Sequence, residues 1–301
     1  MDVQPVACDL RLVAGTEADP QAPADLFIEI PHGATRAADY QAVRSHLRGA
    51  IPDDLIDFFF VNTDAGAPEL GLAVARRLVA AQPWRKVRLL LARVPRTFID
   101  FNRVLDQSPE HYRAGGVTPG IPPWIRDPQD QALLRGLHAA YAEAAARGFE
   151  ETCGAGGLAL LLHSYAPRSV DVQVTDSIVA DLHRAYLPEI VETWPLRPQV
   201  DLIARDPDGH LRASQRLVDA VIACFARADL DVTVGATYPL HPATAGYHLA
   251  QRWPERSLCV EVRRDLLADP FTPFAEMHIS EVKATRVAGA LVEAMLSSFY
   301  A

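Results

Sequence analysis

Short apolar runs alternate along this chain with longer segments of helical spacing, and that alternation restricts the fold more than any other feature. Leu26–Ile30, Asp57–Val61, Lys86–Leu91, Leu158–Leu162, Val200–Ala204, Asp231–Gly235 and Ser257–Val262 have the length and the β-branched or aromatic content of strands. Between them, Ala37–Arg48, Pro68–Ala81, Gln129–Arg147, Ser214–Ala228 and Pro273–Ser298 read as helices. Pro68 suits a first helical turn, with Asp64 or Ala67 just before it, and Gly49 and Gly148 suit helix ends. Strands and helices in alternation predict an α/β fold with a mostly parallel sheet covered on both faces. In such sheets ligands bind outside the carboxyl ends of the strands, so side chains just after each strand are the first to inspect.

The one long irregular stretch, Val104–Asp130, is rich in Pro and Gly. The strand and helix rhythm resumes on both sides of it, so we read residues 1–301 as a single domain with a long active-site loop at 104–130. The chain carries 38 acidic against 29 basic side chains, a formal charge of −9, which argues against nucleic acid as a partner. No apolar run reaches the length of a membrane span, and the N-terminal residues lack the basic and apolar regions of a signal peptide. Cys8, Cys153, Cys224 and Cys259 are too scattered for a Cys-x-x-Cys motif, and three of them lie in apolar stretches. Together these features predict a cytoplasmic enzyme that acts on a small molecule, with a homo-oligomer left open.

Two histidines emerge at strand ends: His32, in Pro31-His32-Gly33-Ala34-Thr35-Arg36, and His163, in His163-Ser164-Tyr165. Two imidazoles brought to one rim from distant parts of the chain suit a catalytic zinc, which takes three protein ligands and leaves one position open. Asp64, after the apolar run ending at Val61, is the third candidate, with Glu69 as its competitor; each could equally be a helix cap. Arg96-Thr97-Phe98-Ile99-Asp100-Phe101-Asn102-Arg103 adds an Asn-Arg pair able to grip a carboxylate. Arg96, further back, could face the reacting carbonyl; the alternative is a solvated arginine set at the end of an edge strand.

In this order, Pro31-His32-Gly33-Ala34-Thr35-Arg36, Thr63-Asp64, Arg96 with Asp100-Phe101-Asn102-Arg103, and Leu162-His163-Ser164 resemble the N-formylglutamate amidohydrolase family. That family carries Pro-His-(Ser/Ala)-Gly, Asp-Thr-Asp, Ser-Arg-x-x-x-Asp-Leu-Asn-Arg and His-Ser. The Asp-x-Asn-Arg element is also similar to that of aspartoacylases and zinc carboxypeptidases. Leu258–Arg264 resembles the family's Val-Gln-Leu-Glu-Leu strand, and the likeness extends over roughly residues 25 to 295.

The resemblance implies a three-layer α/β/α fold of zinc-exopeptidase type and hydrolysis of the amide of an N-acyl amino acid such as N-formylglutamate. It assigns one zinc to His32, Asp64 and His163, the substrate carboxylate to Asn102 and Arg103, carbonyl polarisation to Arg96, and the general base to Glu261. Arg36 and Ser164 fall on the substrate side. Ser164 is a hydrogen-bond donor rather than a nucleophile, since no Gly-x-Ser-x-Gly elbow surrounds it. Glu261 sits in an apolar strand, where a carboxylate is costly; the other reading is an outward residue paired with Arg263.

The chain also departs from the pattern. Asn62 replaces the first Asp of Asp-Thr-Asp, Ala65 an aromatic and Pro68 an Asp; Gly33-Ala34 reverses the small pair, and Asp201–Gly209 follows the family only loosely. These departures keep open a carboxypeptidase or peptide amidase on the same scaffold, or a metal-free binding protein. His241 or Tyr247 could touch substrate, although a packed loop is the plainer reading. The Arg263-Arg264 and Arg76-Arg77 pairs read as solvated faces.

Overall fold

The computed structural model describes residues 5–114 and 116–299; Met1 to Gln4, and Gly115 of the long loop, lie outside the described residues. Seven strands form one sheet: β1 (Cys8–Ala14), β2 (Leu26–Ile30), β3 (Lys86–Ala92), β4 (Leu158–Tyr165), β5 (Val200–Leu202), β6 (Val232–Val234) and β7 (Ser257–Arg263). Their order is β1-β3-β2-β4-β7-β5-β6. The β3–β2, β2–β4, β4–β7 and β5–β6 pairs are parallel, while β1–β3 and β5–β7 are antiparallel.

Alternation along the strands divides the core in two. Ile28, Leu160 and Val260 pack under α3 (Ala67–Ala81), α8 (Gln215–Arg227) and α10 (Glu281–Ser298). Phe27, Leu161 and Cys259 face the other way, under α1 (Ala37–Arg44), α2 (Leu55–Asn62), α5 (Pro128–Cys153) and α6 (Ile178–Ala185). The layers are therefore α/β/α. The period of two also puts Glu29, His163, Glu261 and Asp201 on the α5 face. Glu29 there is buried and accepts a 2.5 Å hydrogen bond from the Tyr141 hydroxyl of α5.

Several expectations change. Asp57–Val61 is not a strand but the body of α2. Its Leu55, Phe58, Phe59 and Phe60 are all buried, and a short apolar run does not by itself separate strand from buried helix. Asp64 thus follows a helix. Gly148 is no helix end: α5 runs on to Cys153, and a Cβ at Gly148 would come within 2.4 Å of the Phe27 ring, so this glycine lets the helix lie close on the sheet. The last helix begins at Glu281, after the Ser280 N-cap, and not at Pro273. Strand β1 was unforeseen, as were α4 (Pro109–Ala114) inside the long loop, α7 (Pro188–Val191) and α9 (Ala245–Arg252). No helix among the described residues is long and apolar enough to cross a membrane.

Candidate active site

The connection direction reverses between β2 and β4: β3 flanks β2 on one side and β4 on the other. A cavity of about 490 Å³ opens at the carboxyl ends of these strands, where the general rule for such sheets places a ligand. His32 leaves β2, and His163 lies near the end of β4. Their ring centroids are 5.2 Å apart, a distance a shared ion can span. Asp64 reaches them from the turn between α2 and α3, where Gly66 takes φ +89°. The turn is tight because a Cβ at Gly66 would lie 2.7 Å from the Leu267 Cβ.

The Nδ1 atoms of His32 and His163 stand 3.1 and 3.0 Å from the same Asp64 oxygen, Oδ2. One ligand atom from each of the three residues lies within 4.8 Å of the others, and all three residues are buried. Burial alone would raise the Asp64 carboxyl, but His32 and then His163 hold it well below the usual carboxylate range. His32 Nε2 is 2.8 Å from Asp100 Oδ1, which fixes the ring from behind and leaves Nδ1 facing the group.

Asp100 is the centre of a second cluster. Arg96 donates to its Oδ2 at 2.7 Å, and Arg103 lies 3.5 Å from the same oxygen. Despite burial, Arg103, Arg96 and His32 hold Asp100 ionised far below its ordinary value. Arg103 also donates to the carbonyls of Thr118 and Asn102 at 3.1 and 3.0 Å. Asn102 Oδ1 accepts from the Gly246 amide at 2.9 Å, which leaves the amide NH₂ to the cavity. Asp100 is thus shared by two guanidiniums, and Arg96 also stands 3.8 Å from Asp64 Oδ1, which leaves Arg103 with the weaker hold at 3.5 Å.

Glu261 stands directly opposite His163 in the β4–β7 register, on the cavity face. Its Oε2 is buried with no hydrogen-bond partner among the described residues. Burial raises its carboxyl above the ordinary value; the His163 ring pulls it down and the Asp64 charge raises it again. The outward pairing with Arg263 does not occur, because Arg263 bonds Asp265 at 2.8 Å.

Ser164 lines the cavity and donates to the Ala65 carbonyl at 2.9 Å. Arg36 is not brought to the cavity. It ties the start of α1 to Glu69 and, at 3.2 Å, to Glu276. Glu69, held by Arg36, stays outside the histidine group. From the stretch 104–130, Tyr112, Val117, Thr118, Pro122 and Trp124 line the cavity. His241 packs against His111 and lies off the cavity, which residues 237–246 reach through Tyr238, Leu240 and Gly246 instead.

Arg264 is a residue that sequence reasoning misplaced. It is buried, not solvated: it donates to the Val61 and Ser164 carbonyls at 2.6 and 3.3 Å and stands 4.0 Å from Asp64 Oδ1. An Arg-Arg pair gives no sign of which member turns inward. Strand parity alone would have chosen Arg263, on the Glu261 face; Arg264 turns inward because β7 ends at Arg263 and a 3-10 turn begins at Arg264. Asp100 was visible only as part of a motif, with its role as the backing of His32 unseen.

The family model for N-formylglutamate amidohydrolase matches residues 24–268. The chain belongs to the N-formylglutamate amidohydrolase family. Membership makes it a hydrolase of linear amide, non-peptide C–N bonds. Its fold is similar to the crystal structure of an Agrobacterium tumefaciens gene product, with a TM-score of 0.58, 19% identity, and coverage of 99% of this chain and 96% of that one. It is equally similar to the N-formylglutamate amidohydrolase of Ralstonia eutropha JMP134, with a TM-score of 0.58, 19% identity, and coverage of 99% and 98%. A metallo-carboxypeptidase from Burkholderia cenocepacia aligns at a TM-score of 0.33 and 14% identity, over 96% of this chain and 60% of that one. No curated protein matches the sequence.

Proposed function

We propose that this family member is a zinc-dependent amidohydrolase that cleaves the amide of an N-acyl amino acid, with Glu261 as general base. The observation that carries the reading is the meeting of His32, Asp64 and His163 within 4.8 Å, beside a buried Glu261 oxygen with no hydrogen-bond partner among the described residues. Two imidazoles and one carboxylate are a donor set suited to zinc with one position left open. When bound, zinc lowers the pKa of a coordinated water towards ~7 and polarises the amide carbonyl.

The protein's own groups do the rest. Asp100 holds the His32 ring so that Nδ1 presents its lone pair. Arg103, whose ion pair with Asp100 is loose at 3.5 Å, and the NH₂ of Asn102 take the substrate α-carboxylate. Arg96, 22% exposed at its side chain, reaches the carbonyl oxygen as negative charge develops there. Glu261 takes the proton from the attacking water and passes it to the leaving amine, a role for which a raised pKa is suited. The 104–130 stretch closes the rim and excludes water. The whole chain then acts as one hydrolase domain, and its four free thiols fit a reducing cytoplasm.

The direct test pairs metal content with amine release from N-formylglutamate. About one zinc per chain, and loss of turnover on chelation with recovery on zinc addition, are expected. Full turnover by a metal-free preparation would sink the reading.

A further inference from the structure

We infer that Arg197 is a specificity residue, which selects substrates whose amino-acid side chain ends in a second carboxylate. The inference rests on the amidohydrolase reading above and deepens it at the same cavity.

Each of the other arginines that line the cavity has a carboxylate within reach. Arg96 and Arg103 share Asp100, Arg264 stands 4.0 Å from Asp64 Oδ1, Arg113 bonds Glu110 and Arg168 pairs with Glu192. Arg197 also lines the cavity, and it forms no ion pair among the described residues. It is held in other ways. Its Nε donates to the Ser169 hydroxyl at 3.0 Å and its Nη2 to the Tyr238 hydroxyl at 2.7 Å. The guanidinium carbon lies 5.2 Å from the centre of the Tyr165 ring and 5.7 Å or less from that of Tyr238, at 5.6 Å. Neutral hydroxyls and ring faces orient a guanidinium without cancelling its charge. Nη1 donates to no group among the described residues, so one arm of the fork is left for an anion.

Hydrogen bonds place this cation on the amino-acid side of the substrate. Tyr238, which holds Arg197, opens a segment that ends on the carboxylate clamp. Val104 N donates to its Ala243 carbonyl at 3.0 Å, and its Gly246 amide donates to Asn102 Oδ1 at 2.9 Å. Strand register gives a second fix. Tyr165 follows His163 by two residues and shares its face, and it pairs with Arg263 as His163 pairs with Glu261. Arg263 in turn donates to the Arg197 carbonyl at 2.8 Å. Arg197 therefore lies one same-face step beyond the reacting groups, about 6–7 Å along the strands. A short alkyl stem ending in a carboxylate, with one hydrogen bond, covers that gap. Burial raises the Glu261 carboxyl, and Arg197, after His163, is among the charges that pull it down, so the guanidinium does act on the reaction centre.

The test measures kcat/KM of the zinc-loaded full chain on N-formylglutamate, N-formylglutamine and N-succinylleucine. Glutamine has the shape of glutamate without its charge. The glutamate-to-glutamine ratio should be about 10- to 100-fold, the worth of a charge-assisted hydrogen bond. Arg197→Gln should bring that ratio close to one, and Arg197→Lys should keep part of it, because the charge survives and the planar fork does not. Taking the ratio cancels any effect of a variant on folding or on Glu261. Tyr238→Phe, which removes only the hydroxyl on Nη2, should lower the ratio about threefold to tenfold, and it keeps the test open should Arg197→Gln not fold. Calorimetry on the metal-free chain should rank the amine products alike, with glutamate bound more tightly than glutamine by the parent and not by Arg197→Gln. A parent ratio near one, or a ratio that survives these changes, overturns the assignment and leaves the amidohydrolase standing. So does a loss confined to N-succinylleucine, which would put Arg197 on the acyl side. A zinc-loaded chain inert on the whole panel overturns both.

Discussion

At the ends of β2, β4 and β7 the cavity wall is made of ionisable groups fastened to one another, whereas Phe58, Val172, Val174, Ile178 and Leu182 line it with side chains that have nothing to donate or accept. The polar side holds Asp64 between two imidazoles and Asp100 between two guanidiniums. Burying such groups costs stability that their mutual contacts only partly return. The apolar side gains stability from the same burial. The contrast teaches that one cavity is both a strained polar cluster and a piece of hydrophobic core, and that the two sides should answer mutation in opposite ways.

The largest expected effect breaks the polar side at its centre. His163→Ala removes one of the three grouped ligands, so bound metal and kcat/KM should both collapse, the latter by more than about 10³-fold, with zinc content and turnover as readouts. Glu261→Gln keeps shape but loses the base. Here kcat should fall by roughly 10² to 10⁴ while KM and zinc content hold; a near-normal kcat would move the base elsewhere. Arg103→Ala should raise KM by about 30-fold or more with a smaller loss in kcat, and Arg103→Lys should rescue poorly, because a point charge does not reproduce a planar fork. Asp100→Asn, which loosens the backing of His32 and the hold on Arg96 and Arg103, should weaken zinc affinity by about 10- to 100-fold in a chelator competition.

The last and smallest effect sets stability on one side of the cavity against stability on the other. Leu182→Ala on the apolar side should cost about 2 to 4 kcal/mol in denaturant unfolding. Glu261→Gln on the polar side should do the reverse in metal-free protein. The Glu261 carboxyl sits above its ordinary value in the folded chain. The folded state therefore prefers the protonated form, and a penalty develops as pH rises from the unfolded value through the folded one. The Gln variant should melt higher than the parent at pH 8, and the gap should close near pH 4. A gap that is the same at both pH values would mean that Glu261 is paired after all.

The same division explains what was legible in the sequence. His32 and His163 could be read because β2, apolar but for Glu29, and the apolar run Leu158–Leu162 of β4 each deliver a histidine towards the carboxyl end of a strand. Asp64 was a candidate for a reason the structure replaces: the run before it, read as a strand, folds as the buried helix Leu55–Asn62, and a turn after that helix brings the carboxylate in. Strand β1 escaped because it is an edge: Leu10 and Leu12 are exposed, so its alternation carries no burial signal. The apolar wall of the cavity escaped for another reason. Val170–Val174 does alternate, but it forms no ladder, and nothing in five such residues says that their inner edge faces a cavity and not a core. Motifs report where charge is concentrated; they are silent about the surfaces against which a substrate is merely dry.

The β4–β7 pairing described above has a consequence in time as well as in space. His163 and Glu261 are 98 positions apart and become neighbours only when the last long strand docks against the middle of the sheet. Contacts of such separation are paid for late in folding, after the loop between them has closed. A chain still being made holds both histidines and Asp64 before it holds Ser257–Arg263, and until that strand arrives the group lacks the wall that carries its base. On the proposed mechanism, competence is thus reached only once that strand has been made, and a copy truncated before Ser257 would keep His32, Asp64 and His163 in its sequence without Glu261, the proposed base.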